Sequence, residues 1–224
     1  MDAGTGVKLF VVRHGETEWS AALKHTSRTD LPLTDAGRWA AVALGERLAG
    51  RAFSLVLCSP LLRARETCEL AGFSDHAISC EDLHEWDYGD YEGLTSQEIH
   101  VRQPDWSLWS DGCPSGESPA EVGARVDRVL ARVRGSAQGG GEGGRGNGGD
   151  EVGGKVGGEG ERDPRGDAIA FAHGHVLRVL TARWIGLEPA AGARFALGAG
   201  AIGVLGHEHE TEVIERWNEP AASG

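Results

Sequence analysis

Three short apolar runs in this chain each end on residues suited to binding a charged oxyanion. Lys8 to Val12 runs into Arg13-His14-Gly15-Glu16-Thr17, and Ser54 to Cys58 leads to Ser59-Pro60-Leu61-Leu62-Arg63. The third run, Asp167 to Ala172, delivers His173-Gly174-His175. Guanidinium groups grip phosphate oxygens through paired N–H donors, and a neutral imidazole is a nucleophile. Arg13, Arg63, His14 and His173 converging on one crevice therefore describe a site for a dianion such as a phosphate. Gly15 and Gly174 let the backbone approach closely, and helix N-termini add oriented N–H donors. A single histidine after a strand is more often structural, and a single helix arginine is more often a solvated charge. The recurrence at successive strand ends carries the reading.

Those ends must be held side by side. The β-branched and aromatic runs at 8–12, 54–58 and 167–172 read as buried strands. Between them the pattern becomes helical. Thr34 can cap a helix to about Ala49 with Trp39, Val42, Ala43, Leu44 and Leu48 as its apolar face. Pro60 is placed to open the next helix, and residues near Leu83 to Tyr91 read as a loop or short strand. Ser118-Pro119-Ala120-Glu121 is a capping-box pattern that starts a helix to about Arg134, with Val122, Val126, Val129, Leu130 and Val133 as its stripe. A further helix follows His175 and ends near Gly186; 201–205 and 212–217 read as a closing hairpin. Strands alternating with helices predict a three-layer α/β/α fold around a mostly parallel sheet, which presents ligand-binding groups beyond its strands' carboxyl ends.

Length and composition bound the rest. The 224 residues suit one domain spanning 1–224, and a formal net charge of -12 without basic runs argues against nucleic acid or an anionic membrane as partner. Cys58, Cys68, Cys80 and Cys113 form no C-x-x-C pair and read as buried reduced thiols. The apolar run near the N-terminus is too short for a signal peptide or membrane span, so a cytoplasmic protein is expected. Gly135 to Gly166 is about half glycine, with charges and almost no apolar residues, and reads as a disordered insertion. Its formal G-x-G-x-x-G match at Gly139, Gly141 and Gly144 follows no strand and is not a nucleotide site.

Arg13-His14-Gly15-Glu16-Thr17 resembles the signature of the histidine phosphatase superfamily, whose best-known branch is the phosphoglycerate mutases. The likeness continues through Asp30-Leu31-Pro32-Leu33-Thr34, Ser59-Pro60-Leu61-Leu62-Arg63-Ala64, Glu85-x-x-Tyr88-Gly89-x-x-Glu92-Gly93 and Ala172-His173-Gly174, leaving out only the glycine tract. The resemblance implies that His14 is the nucleophile and that Arg13, Arg63, His173 and Gly174 hold the phosphoryl group. It also implies that Glu85 is the acid for the leaving alcohol, then the base for water. Thr26 matches a family position that contacts phosphate, and Tyr88 one that lines the substrate pocket. No cofactor is implied and no metal is required; the expected partner is a small phosphate ester.

The chain also departs from the mutases. Ser20 and His175 stand where they usually carry Asn, and Ser27 where they usually carry Gly. The interval from Glu85 to Gly116-Glu117-Ser118 is short; Ser96 falls near where a mutase Lys would be, and the paired Arg of the mutases is absent. A mutase needs those cations to retain a bisphosphate while it reorients, so hydrolysis is favoured over mutase activity. Glu85 to Gly93, Asp111-Gly112-Cys113 and Phe171 to His175 look closer to fungal sedoheptulose-1,7-bisphosphatases and to broad-range actinobacterial acid phosphatases. That implies a sugar phosphate or bisphosphate substrate, with Ser20, Ser27, Tyr88, His175 and Arg178 as candidate selectors. Two other classes compete. Metal catalysis would use His173-Gly174-His175 or His207-Glu208-His209-Glu210, but neither has a recognisable catalytic spacing. A silent phospho-ligand module would lack the nucleophile, an arginine or the acid, and all are present.

Overall fold

The computed structural model describes residues 6–138 and 166–221. Four short strands, β1 (Leu9–Arg13), β2 (Leu55–Cys58), β3 (Ala77–Ser79) and β4 (Ala168–Ala172), run parallel to one another. An antiparallel pair, β5 (Ile202–Glu208) and β6 (Thr211–Glu219), extends the sheet on the β1 side. The order is β3-β2-β4-β1-β5-β6. The sheet is thus mixed and mostly parallel, as its alternation with helices predicts.

Alternating side chains sort the core into two layers. Leu9, Val11, Leu55, Leu57, Ala168 and Ala170 face α6 (Pro119–Gln138) and α7 (Gly174–Trp184). Phe10, Val12, Val56, Cys58, Ile169 and Phe171 face α2 (Asp35–Leu48) and α3 (Leu62–Leu70). Phe10 and Phe171 are essentially sealed from solvent; burying such a side chain stabilises the fold by about 1.5–3 kcal/mol. Three shorter helices, α1 (Glu18–Ala21), α4 (Ser96–Arg102) and α5 (Leu108–Asp111), lie in the connections.

The helix signals act where the sequence puts them. Thr34 Oγ1 accepts from Gly37 N at 3.1 Å, and Ser118 and Glu121 exchange hydrogen bonds at the start of α6. The α6 stripe at Val122, Val126, Val129, Leu130 and Val133 is buried throughout. On α2 the predicted face is rotated: Gly37, Ala41, Leu44 and Leu48 point inward, while Trp39 is 75% and Val42 38% exposed. Close packing of Gly37 against the backbone of Glu16 sets that rotation, because only a glycine lets the helix come so near. The helix α3 begins at Leu62 rather than at Pro60. Leu83 to Tyr91 forms no strand; it is bounded by 3-10 turns at Glu81–Leu83 and Gly89–Tyr91. The helix α6 continues to Gln138; the rest of the expected insertion, 139–165, lies outside the described residues. All four cysteines are buried free thiols, with Cys113 pushed up to about 12 by burial and the nearby Asp87 and Glu117. No helix among the described residues is long and apolar enough to cross a membrane.

Candidate active site

The register of the parallel strands brings the first residues after β1, β2 and β4 together. Arg13 pairs with Ala172 and Cys58 with Phe171; beyond them His14 N donates to Ala172 O at 2.9 Å and Ser59 N to Phe171 O at 2.9 Å. The His14 and His173 rings lie 5.1 Å apart between centroids. Above them opens a cavity of about 520 Å³ that includes Arg13, His14, Glu85, Tyr88, Gly174 and His175 in its wall.

The proton on His14 is fixed by its neighbour. Nδ1 lies 2.7 Å from Gly15 O, and a carbonyl can only accept, so Nδ1 carries the hydrogen and Nε2 keeps its lone pair. Burial, then Arg63 and Arg13, hold this imidazole well below the ordinary histidine range. A neutral ring with a bare Nε2 is the form that attacks phosphorus.

His173 is set the opposite way. Its Nδ1 accepts from Arg63 Nε at 3.1 Å, so Nε2 bears the hydrogen and donates to Ser59 Oγ at 2.7 Å. Burial and Arg63 keep it neutral as well. Arg63 is itself fully buried and donates to the carbonyls of Thr26, Ser27 and Thr29. With the bond to His173 this occupies four of its five N–H groups. Arg13 donates from Nη1 to Leu197 O, but its buried Nε has no partner. A hydrogen-bonding oxyanion at the foot of the cavity would satisfy that donor.

Glu85 is a further residue of the cavity wall. Oε1 accepts from Trp86 N and Val176 N, both at 2.9 Å, and Oε2 from His175 N at 3.0 Å. Two of those donors belong to the first turn of α7 and fix the orientation of the side chain. The side chain shares the cavity wall with Arg13 and His14, and among the described residues it forms no salt bridge to Arg13 or Arg63.

Among the expected selectors, Ser20, Tyr88, His175 and Arg178 line the cavity, and so does Thr26, whose hydroxyl donates to Lys24 O. Ser27 does not. It is buried behind the wall, its N–H held by Glu92 and its carbonyl by Arg63, so it acts through its backbone. Sequence reasoning missed Leu23, Lys24, His25, Thr95 and Gln97, which complete the outer wall. They meet because Lys24 bridges to Thr95, an isolated pairing that no periodicity announces. Among the described residues no cluster of three or more His, Cys, Asp or Glu could hold a metal, His207 to Glu210 included.

The family model described as histidine phosphatase superfamily (branch 1) matches residues 9–141 and 158–220. The chain belongs to the histidine phosphatase superfamily. It is a phosphomonoesterase of that superfamily. An acid phosphatase of Mycobacterium tuberculosis is 36% identical over 204 residues, covering 90% of this chain and 87% of the relative. A sedoheptulose 1,7-bisphosphatase of Saccharomyces cerevisiae is 33% identical over 203 residues, covering 80% and 68%. The solved structure of an open-reading-frame product from Mycobacterium tuberculosis superposes with a TM-score of 0.80 at 34% identity, over 96% of this chain and 99% of that one.

Proposed function

We propose that this phosphatase hydrolyses sugar phosphates or bisphosphates through a phosphohistidine on His14, with sedoheptulose 1,7-bisphosphate as the foremost substrate. The observation that carries the chemistry is the hydrogen bond from His14 Nδ1 to Gly15 O, which leaves a neutral Nε2 free at the foot of the cavity. In the first step Nε2 attacks phosphorus, and the bond from phosphorus to the ester oxygen breaks. Glu85 in its acid form gives its proton to the departing alkoxide. In the second step the Glu85 carboxylate takes a proton from water as the water oxygen attacks the phosphohistidine. The N–P bond then breaks, its electron pair returns to Nε2, and inorganic phosphate leaves. Arg13 and Arg63 offset the charge on the equatorial oxygens throughout, work that in other phosphatases falls to metal ions.

The sugar reading is supported by a wall rich in hydroxyl and amide groups, Ser20, Thr26, Thr95, Ser96 and Gln97, and by likeness to the yeast bisphosphatase. Hydrolysis rather than phosphoglycerate isomerisation is supported by Ser96 and by the missing Arg pair. The test is phosphate release from sedoheptulose 1,7-bisphosphate, fructose 1,6-bisphosphate, 3-phosphoglycerate and p-nitrophenyl phosphate, beside an assay for 3- to 2-phosphoglycerate conversion. Release concentrated on a sugar bisphosphate is expected. Isomer conversion without net release would assign the site to a mutase, and failure to trap a phosphoenzyme with any ester would favour a silent binding module.

A further inference from the structure

We infer that Thr67 is the positioning residue that aims His14 for attack, by tying the nucleophile's loop to the helix that carries Arg63. The inference rests on the phosphohistidine reading of His14 and goes beyond it, since Thr67 is fully buried and lies outside the cavity wall.

Gly15 is where the nucleophile's loop is most free to move. Its carbonyl, 2.7 Å from His14 Nδ1, keeps the hydrogen on that nitrogen and leaves Nε2 bare. Yet the position demands glycine, because a Cβ there would lie 2.5 Å from Gly37 O. Glycine has the most permissive backbone of any residue, so the Gly15 carbonyl keeps its aim only if neighbouring groups remove that freedom.

Two hydrogen bonds do so. Gly200 N donates to His14 O at 2.9 Å, and Gly15 N donates to Thr67 Oγ1 at 3.0 Å. The peptide between His14 and Gly15 is thus held at both edges. The first bond joins two backbones and needs no particular side chain; the second needs a side-chain acceptor. Thr67 has already committed its own hydrogen to Arg63 O at 2.7 Å, one turn back on α3. A hydroxyl carries a single hydrogen, so toward Gly15 it can only accept. The relay from Gly15 N–H through Thr67 to Arg63 O therefore has one direction.

The two ends of this relay differ in what they need from it. The Arg63 guanidinium is secured separately by the carbonyls of Thr26, Ser27 and Thr29 and by His173. Its hold on a phosphoryl group does not pass through Thr67. Gly15 N has no other partner among the described residues, and an unpaired buried N–H drives the backbone to seek another acceptor. Thr67 accordingly bears on attack rather than on phosphate binding.

The experiment compares the wild type with Thr67→Val, which keeps the shape and removes the hydroxyl, and with Thr67→Ser, which keeps the hydroxyl. Three quantities are read: kcat/KM for p-nitrophenyl phosphate, the competitive Ki of inorganic phosphate, and the 15N spectrum of His14. The p-nitrophenol group leaves without a proton, so kcat/KM reports formation of the phosphohistidine rather than the work of Glu85. Thr67→Val should lower kcat/KM about 10- to 100-fold, the scale of a misaimed reacting group, with Ki changed by about twofold at most. His14 should pass from a single Nδ1–H form to a mixture of tautomers, and Thr67→Ser should restore both readouts. A hydroxyl that only steadies the fold would weaken phosphate binding in step with turnover and leave the tautomer unchanged. That result, or wild-type kcat/KM in Thr67→Val, overturns the inference. Should Thr67→Val fail to fold, Thr67→Cys takes its place, because sulfur is a weak acceptor. A smaller loss with tautomer mixing then supports the inference, and no change overturns it. If the wild type yields no phosphoenzyme with any ester, the phosphohistidine reading itself falls; a trapped phosphoenzyme with indifferent Thr67 variants removes this inference alone.

Discussion

The hydroxyl of Tyr88 lies 2.6 Å from Nδ1 of His175, joining the turn after Glu85 to the start of α7. Burial first, then Glu85 and Cys113, push the Tyr88 phenol well above its ordinary value, so at neutral pH it keeps its proton and donates. Nδ1 of His175 must then accept. Burial, followed by Arg178 and His25, holds that imidazole well below the usual histidine range, so the ring is neutral and Nε2 bears its hydrogen. The backbone N–H of the same residue holds Glu85. One position thus orients the acid and presents a defined ring tautomer to the cavity.

Replacing Tyr88 by Phe removes the group that selects the tautomer. The 15N spectrum of His175 should change from a single Nε2–H form to a mixture, and kcat/KM on sugar phosphates should fall about three- to tenfold, the worth of one hydrogen bond. An unchanged 15N pattern would show that something other than Tyr88 sets the ring.

Glu85→Gln tests the acid and the fold together. The amide oxygen can replace Oε1 beneath Trp86 N and Val176 N, but its NH2 then faces His175 N–H, leaving one buried donor unpaired. Stability should drop by about 1–3 kcal/mol in urea titration. Alkyl phosphates should slow far more than p-nitrophenyl phosphate, whose leaving group needs no proton. Equal losses on the two esters would exclude Glu85 as the proton donor.

The strand ends were legible because parallel register is a local matter. Three apolar runs of similar length, the first closed by Arg13-His14 and the third by His173, bring those residues to one edge whatever lies between them. The outer wall was not legible. Lys24 and Thr95 are far apart in sequence and meet by a single bridge, and Leu23 takes a left-handed φ of 56° that its type does not favour. Ser27 was misplaced for another reason: residue type says nothing about whether a position serves through its side chain or its backbone. The inward face of α2 was misread because Trp39 is apolar, yet Gly37 decides which side can approach the site.

That approach can be tested directly. A Cβ on Gly37 would lie 2.3 Å from Glu16 O, and one on Gly15 would lie 2.5 Å from Gly37 O. Backbone faces backbone there, so no side chain can swing aside. Gly37→Ala gains about 1 kcal/mol of helix propensity, but overpacking costs about 1–3 kcal/mol or more and shifts the segment carrying His14. Thermal melting should show net destabilisation together with a loss of kcat. Gly135→Ala, on exposed helix with nothing within 4 Å, should instead raise Tm by a few degrees. Equal effects at the two positions would refute the contact argument.

Acid pH should separate chemistry from stability. His14, His173 and His175 all have folded-state pKa values depressed mainly by burial, with Arg63 the next cause for the first two and Arg178 for the third. Protonation of His14 would silence Nε2, and its low pKa moves that acidic limb below the ordinary histidine range. Activity should therefore persist at pH 5 to 6, where a free imidazole, with a pKa of about 6.5, is mostly charged. Stability follows the opposite course. Above about pH 6.5 these rings are neutral in both folded and unfolded chains and contribute no pH dependence. Below it the unfolded chain takes up protons that the folded chain refuses, so unfolding becomes easier as pH falls toward the folded-state values. Each ring adds a slope of up to about 1.4 kcal/mol per pH unit in that window. Urea midpoints should decline steadily from pH 7 to pH 5 while kcat/KM for p-nitrophenyl phosphate holds. His175→Asn removes one of the three rings and should make the decline shallower. A flat stability profile, or an activity limb centred near pH 6.5, would mean that these imidazoles are not held neutral by the fold.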